Sequence, residues 1–130
     1  MTTHARGSFA VQITPQAQDE AAGATLGRMA LAKQFHGDLH ATSTGTRLIA
    51  RTDTGSAVYV AIKRVTGTRH GRSGTFALVH HGTMTPVAQA LMITVVPDSG
   101  TDQLVGNAGE LAINIVDEQH RYDVAYTLDT

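Results

Sequence analysis

Apolar and polar residues alternate with a period of two along most of the chain. Phe9, Val11 and Ile13 alternate with Ala10 and Gln12, and Val58, Val60 and Ile62 alternate with Tyr59, Ala61 and Lys63. The same rhythm sets Phe76 and Leu78 against Ala77 and Val79, and Leu111, Ile113 and Ile115 against Ala112 and Asn114. Near the end, Tyr122, Val124, Tyr126 and Leu128 alternate with Arg121, Asp123 and Thr127. Successive side chains of a strand point to opposite faces, so each stretch predicts a β-strand. Turn chemistry recurs at Ser43-Thr44-Gly45, Asp53-Thr54-Gly55, Gly67 to Gly71, Pro97-Asp98-Ser99-Gly100 and Asn107-Ala108-Gly109. The polar stretch from Pro15 to Ala24 predicts one long loop with at most a short turn of helix.

Eight or nine short strands at this spacing, with no helical segment long enough for a crossover, imply an antiparallel sheet. Its edges are hidden either by closure into a barrel or by splitting into a sandwich. We expect the barrel: an all-β fold, an antiparallel β-barrel of about eight strands forming a single domain over residues 1–130. Large apolar side chains line one face of each strand, whereas the other is mostly Thr, Ala and charge. Where both faces are apolar, as in Ala90 to Val96, the pattern leaves the facing open.

Composition narrows the partners. A net charge of −1 on 130 residues offers no clustered excess of Lys and Arg, which disfavours nucleic acid and anionic membranes as partners. No signal peptide and no run of about 18 apolar residues is present, so the expectation is a cytoplasmic protein without a membrane span. The absence of cysteine removes disulfides, thiolate catalysis and Cys zinc sites. Histidines at 4, 36, 40, 70, 80, 81 and 120 lack a ligand spacing, so no metal and no cofactor is expected.

A few positions carry candidate chemistry. Met29, Leu31 and Phe35 share a strand face with Lys33, which therefore points inward or snorkels to a barrel mouth. A buried lysine must pair or lower its pKa, which is how lysines become bases or Schiff-base nucleophiles. His80 continues the face of Gly74, Phe76 and Leu78, whereas His81 points the other way. Tyr122 and Tyr126 share one face of the last strand, and Tyr59 lies on a strand whose facing is open. Lys63 shares the Tyr59 face and is expected outside, as an ordinary surface charge. If that face were inside, both lysines would need compensation from Asp38, Glu110 or Asp123. The basic segment Thr68 to Ser73 reads as a solvated hairpin, and neither a phosphate loop nor a nucleophile elbow is present.

Four segments together resemble a known family, the small bacterial proteins of domain of unknown function 3224. They are Gly27 to Phe35 with Gly37-Asp38-Leu39, Tyr59-Val60-Ala61-Ile62, Gly71 to Phe76 leading to His80, and Val95 to Thr101. The resemblance implies an allene oxide cyclase-like barrel of about eight strands, often oligomeric, with Lys33, Tyr59 and His80 as the polar positions of its signature segments. The family commonly has a glutamate where this chain has Lys63, so a shared interior Lys to Glu pair is not expected.

The leading expectation is a bacterial barrel protein that binds a small hydrophobic molecule in its interior, contacted by Lys33, Tyr59, His80, Tyr122 and Tyr126. One alternative is an isomerase or cyclase of a small apolar substrate, in which Tyr59, His80 or Lys33 polarises an oxygen. Another is an oligomeric structural protein without a pocket, and a homo-oligomer is expected in any case.

Overall fold

The computed structural model describes residues 2–128. Eight strands follow one another: β1 (Thr3–Asp19), β2 (Thr25–Gly37), β3 (Leu39–Arg51), β4 (Ala57–Arg69), β5 (Arg72–Met84), β6 (Gln89–Val95), β7 (Asn107–Val116) and β8 (Gln119–Leu128). Each pairs antiparallel with its neighbour in sequence, and β1 pairs with β8 to close the barrel. Closure pairs the sheet edges except where β6 and β7 barely meet, which is the physical gain expected of so many consecutive hairpins. No helix among the described residues is long and apolar enough to cross a membrane.

Several expected turns lie within strands. The Pro15 to Ala24 stretch is not one loop: β1 runs on to Asp19 and pairs with β2 through a bulge between Pro15 and Ala17. Most of its side chains are exposed, so no apolar alternation is needed there, and the bulge accommodates a proline that cannot donate to the ladder. Ser43-Thr44-Gly45 lies in the middle of β3, Gly67 inside β4, and Asn107 to Gly109 opens β7. Gly45 is small for a packing reason, because a Cβ there would stand 2.3 Å from the Ile62 carbonyl oxygen and 2.5 Å from the Lys63 Cβ. The sequence signal for a turn was a signal for close approach.

The interior has two halves. Phe9, Phe35, Leu39, Val65, Phe76, Leu78, Leu111, Tyr122, Val124 and Tyr126 fill the lower half as one apolar cluster. A short 3-10 helix, Asp102–Leu104, inserts the fully buried Leu104 as a plug. Its flanking segment bonds to β5, with Val96 N–H donating to the Ala77 carbonyl at 2.9 Å and Thr101 N–H to the Thr75 carbonyl at 2.9 Å. That segment supports a wall where β6 and β7 share the single ladder pair Thr94↔Glu110.

At the opposite end, side chains on the inward register reach solvent: Ile13 is 43%, Leu91 46% and Ile115 66% exposed. The barrel is therefore tightly packed at its floor and less well covered at the opposite end, its mouth. The facing of β4 reverses the expectation for Lys63. Tyr59, Ala61, Lys63 and Val65 point inward, whereas Val58, Val60 and Ile62 point outward, with Ile62 62% exposed. On β6, left open by the sequence, Ile93 and Val95 are buried.

Candidate functional site

Between floor and mouth, four adjacent strands bring polar side chains to the interior: Lys33 from β2, Ser43 and Arg47 from β3, Tyr59 and Lys63 from β4, and His80 from β5. The register places them close together, since Lys33 pairs with Ser43, Gly45 with Lys63, Arg47 with Ala61, and Ala61 with His80. Lys33 and Lys63 are the only two lysines in the sequence. They are 9% and 3% exposed, although lysine is among the residues least often buried.

Among the described residues, no carboxylate answers them. Glu110 and Asp123 sit on the outward register of β7 and β8, and Asp38 lies in the β2–β3 turn, accepting a bond from the Arg6 N–H at 3.0 Å. The ion pairs among the described residues are His4–Asp123, Arg6–Asp123 and His70–Asp38, all away from this cluster. Compensation from Asp38, Glu110 or Asp123 does not reach the lysines, because strand parity turns these acids outward or leaves them in a turn.

The electrostatic result is a graded loss of protons. Burial, reinforced by the neighbouring Lys33 and Arg47, pushes the Lys63 amine down to about 5. Burial also lowers Lys33, but its hydrogen bond with Lys63 opposes the shift, and its Nζ sits 4.5 Å from the Phe9 ring centroid. A cation over an aromatic face is partly stabilised, so the Phe9 ring, like Lys63, works against the loss of charge at Lys33. Burial and the nearby Lys63, Lys33 and Arg47 depress His80 to about 3, leaving its imidazole neutral at pH 7.

Three buried atoms of the cluster have no hydrogen-bond partner: Ser43 Oγ, Arg47 Nε and His80 Nε2. Such groups are costly to bury unsatisfied. The Arg47 guanidinium lies 4.6 Å from the Tyr59 ring centroid. Tyr59 in turn covers Gly82, where a Cβ would come within 2.3 Å of the ring. Tyr59 thus holds Arg47 in place over the cluster.

Of the residues singled out from the sequence, Lys33 and His80 lie near Lys63, Tyr59 stands beside Arg47, and Tyr122 and Tyr126 belong to the floor. The Tyr122 hydroxyl accepts from the Leu39 N–H at 2.9 Å and has the His36 carbonyl at 2.9 Å as acceptor, and burial raises its pKa. Tyr126 bonds to His70 Nδ1 and stacks under the Arg69 guanidinium, 3.4 Å from its ring centroid. Arg69, 1% exposed, donates to Asn107 Oδ1 at 2.8 Å. Sequence reasoning missed Ser43, Arg47 and the inward position of Lys63. The available signal was that both lysines stand in mid-strand, in register with apolar neighbours.

The profile of the family described as protein of unknown function (DUF3224) matches residues 5–126. The chain belongs to the DUF3224 family. A solved crystal structure of a DUF3224 family protein of unknown function from Shewanella oneidensis MR-1 is 42% identical, covers 100% of both chains and superposes with a TM-score of 0.93. No curated protein matches this DUF3224 chain. The eight-stranded closed barrel is thus shared with a relative similar over its whole length.

Proposed function

We propose that this DUF3224 protein binds a small amphipathic organic anion, with its carboxylate or other oxyanion head among Lys33, Lys63, Arg47 and His80 and its apolar body against the mouth. The observation that carries this reading is a buried set of basic side chains that no carboxylate among the described residues faces. Taking a charge out of water without a partner costs several kcal/mol, and an anion supplied from outside offsets that cost. A purely hydrophobic ligand, the expectation from sequence, leaves Ser43 Oγ, Arg47 Nε and His80 Nε2 unanswered. An oxyanion accepts from these donors, while Ile13, Leu91 and Ile115 suit an alkyl or aryl body.

Octanoate, octanamide and octylamine, identical in chain length and different in head group, test the reading by thermal shift and calorimetry. The expected outcome is that octanoate raises Tm and binds with proton uptake, because an anion restores the Lys63 proton, while the amide and amine do neither. An equal response to all three, or no response to octanoate and to shorter carboxylates, overturns it. The homo-oligomer expectation is part of the same proposal. Leu48, Val60 and Ile62 leave an apolar stripe on the outer wall of β3 and β4, around a groove of about 150 Å3.

A further inference from the structure

We infer that Lys63 is a covalent site, at which the side-chain amine condenses with the carbonyl of a small oxo acid while Lys33 and Arg47 hold the acid's carboxylate. This inference rests on the anion-binding reading and names the substrate class of the same site. Three observations place the chemistry on Lys63 in particular. It is 3% exposed and points inward from the middle of β4, into the polar cluster. Lys33 and Arg47 converge on it as fixed positive charges, which discourage protonation of the amine and attract a carboxylate. Ser43 Oγ, Arg47 Nε and His80 Nε2 are buried around it without partners, ready for the oxygens of an oxo acid.

The two lysines divide the work. Lys33 shares a hydrogen bond with Lys63 in the free protein, which occupies the Lys63 lone pair. An arriving carboxylate draws the Lys33 ammonium to itself and frees that lone pair. The Lys63 nitrogen then attacks the carbonyl carbon, the C=O π pair moves to oxygen, and protonation gives a carbinolamine. Expulsion of that oxygen as water forms the C=N bond. Both hydrogens of the departing water derive from the amine nitrogen, with neutral His80 able to relay a proton between nitrogen and oxygen. No electron is gained or lost, and addition of water across C=N regenerates the free lysine.

Reductive trapping tests this on the full chain. The protein is incubated with 2-oxooctanoate and cyanoborohydride at neutral pH, and the adduct is located by peptide mapping. With no lysine besides these two, background labelling is confined to Lys33 and the α-amine. The expected result is one adduct at Lys63, formed on the order of tenfold or more faster than at an exposed lysine of a reference peptide. Octanoate, which has no carbonyl, should slow trapping by competition, a readout that needs no variant. Lys63→Met, checked for folding by its melting curve, should lose the adduct, whereas Lys33→Met should still be labelled at Lys63, more slowly. Labelling confined to the α-amine, labelling of Lys33 instead, or an unchanged rate in Lys63→Met overturns the inference. If octanoate raises Tm and nothing is trapped at Lys63, the covalent step fails and the anion site stands. If neither occurs, both fail.

Discussion

At the scale of single residues, burial of a base outweighs its intrinsic proton affinity. Lys63 is ionised up to about pH 10.5 when unfolded and loses its proton above about 5 when folded. Across that window the unfolded chain binds more protons than the native one, so stability rises with pH. His80, depressed to about 3, acts in the same direction at lower pH, below its ordinary value of 6.5, and Lys33, also lowered, adds to it. The charged and titratable groups set against Lys63 are Lys33, Arg47 and His80, all of them bases that leave the sign unchanged. Melting curves without ligand should therefore climb on the order of several degrees between pH 6.5 and 9. Lys63→Met, close in volume and without a charge to desolvate, should be more stable than the wild type at pH 7 by about 1–4 kcal/mol and show a flatter pH profile. A flat wild-type profile, or a destabilised methionine variant, would show that the amine is better compensated than its surroundings indicate.

At the scale of elements, turn geometry explains which hairpins the sequence announced. His70 and Gly71, between β4 and β5, have φ of 49° and 79°, the double left-handed geometry of a two-residue hairpin, and Gly71 is the visible cue. Asp117 and Glu118, between β7 and β8, take the same geometry at φ of 51° and 64° without any glycine. That turn therefore escaped the sequence reading, in which every hairpin signal contained a glycine. A left-handed L-residue costs roughly 1–2 kcal/mol, so Glu118→Gly should stabilise the barrel by about 1 kcal/mol in urea denaturation, less the extra entropy glycine loses on folding. No gain, or a loss, would mean that the Glu118 side chain contributes more than its backbone costs. The strand cores were more legible: Phe9 to Ile13, Met29 to Phe35, Phe76 to His80 and Tyr122 to Tyr126 show the faces their alternation predicts.

At the scale of the whole molecule, the barrel separates a dry floor from a wet mouth, and its outer wall is not uniformly polar. Two apolar rows, Leu48 on β3 and Val60 with Ile62 on β4, lie side by side through the pairs Leu48↔Val60 and Thr46↔Ile62. Contiguous exposed apolar surface of this kind is a mark of association, and a symmetric contact between two copies would bury it against itself. Light scattering after size exclusion should return an oligomer for the wild type, and Ile62→Lys should shift it to the monomer with its melting behaviour retained. A monomeric wild type at tens of micromolar would remove the oligomer from the proposal while leaving the interior site untouched.

The residue pattern by itself determined that the chain is a run of antiparallel strands, because period-two alternation without a crossover helix admits little else, whereas barrel or sandwich was decided by the pairing of β1 with β8. It also placed Lys33 and His80 on apolar faces. Alternation says which residues share a side of a strand but not which side is inside, since moving the boundary by one residue exchanges the two sets. For β4 both sides offered apolar groups, Val58, Val60 and Ile62 against Tyr59, Ala61 and Val65. Only closure of the barrel settled the choice. The narrow interior accepts Ala61 beside Arg47, and Gly45 beside Lys63, while the broader aliphatics remain on the outer wall. The meeting of Lys33 with Lys63, thirty positions apart in the chain, therefore belongs to the tertiary structure alone.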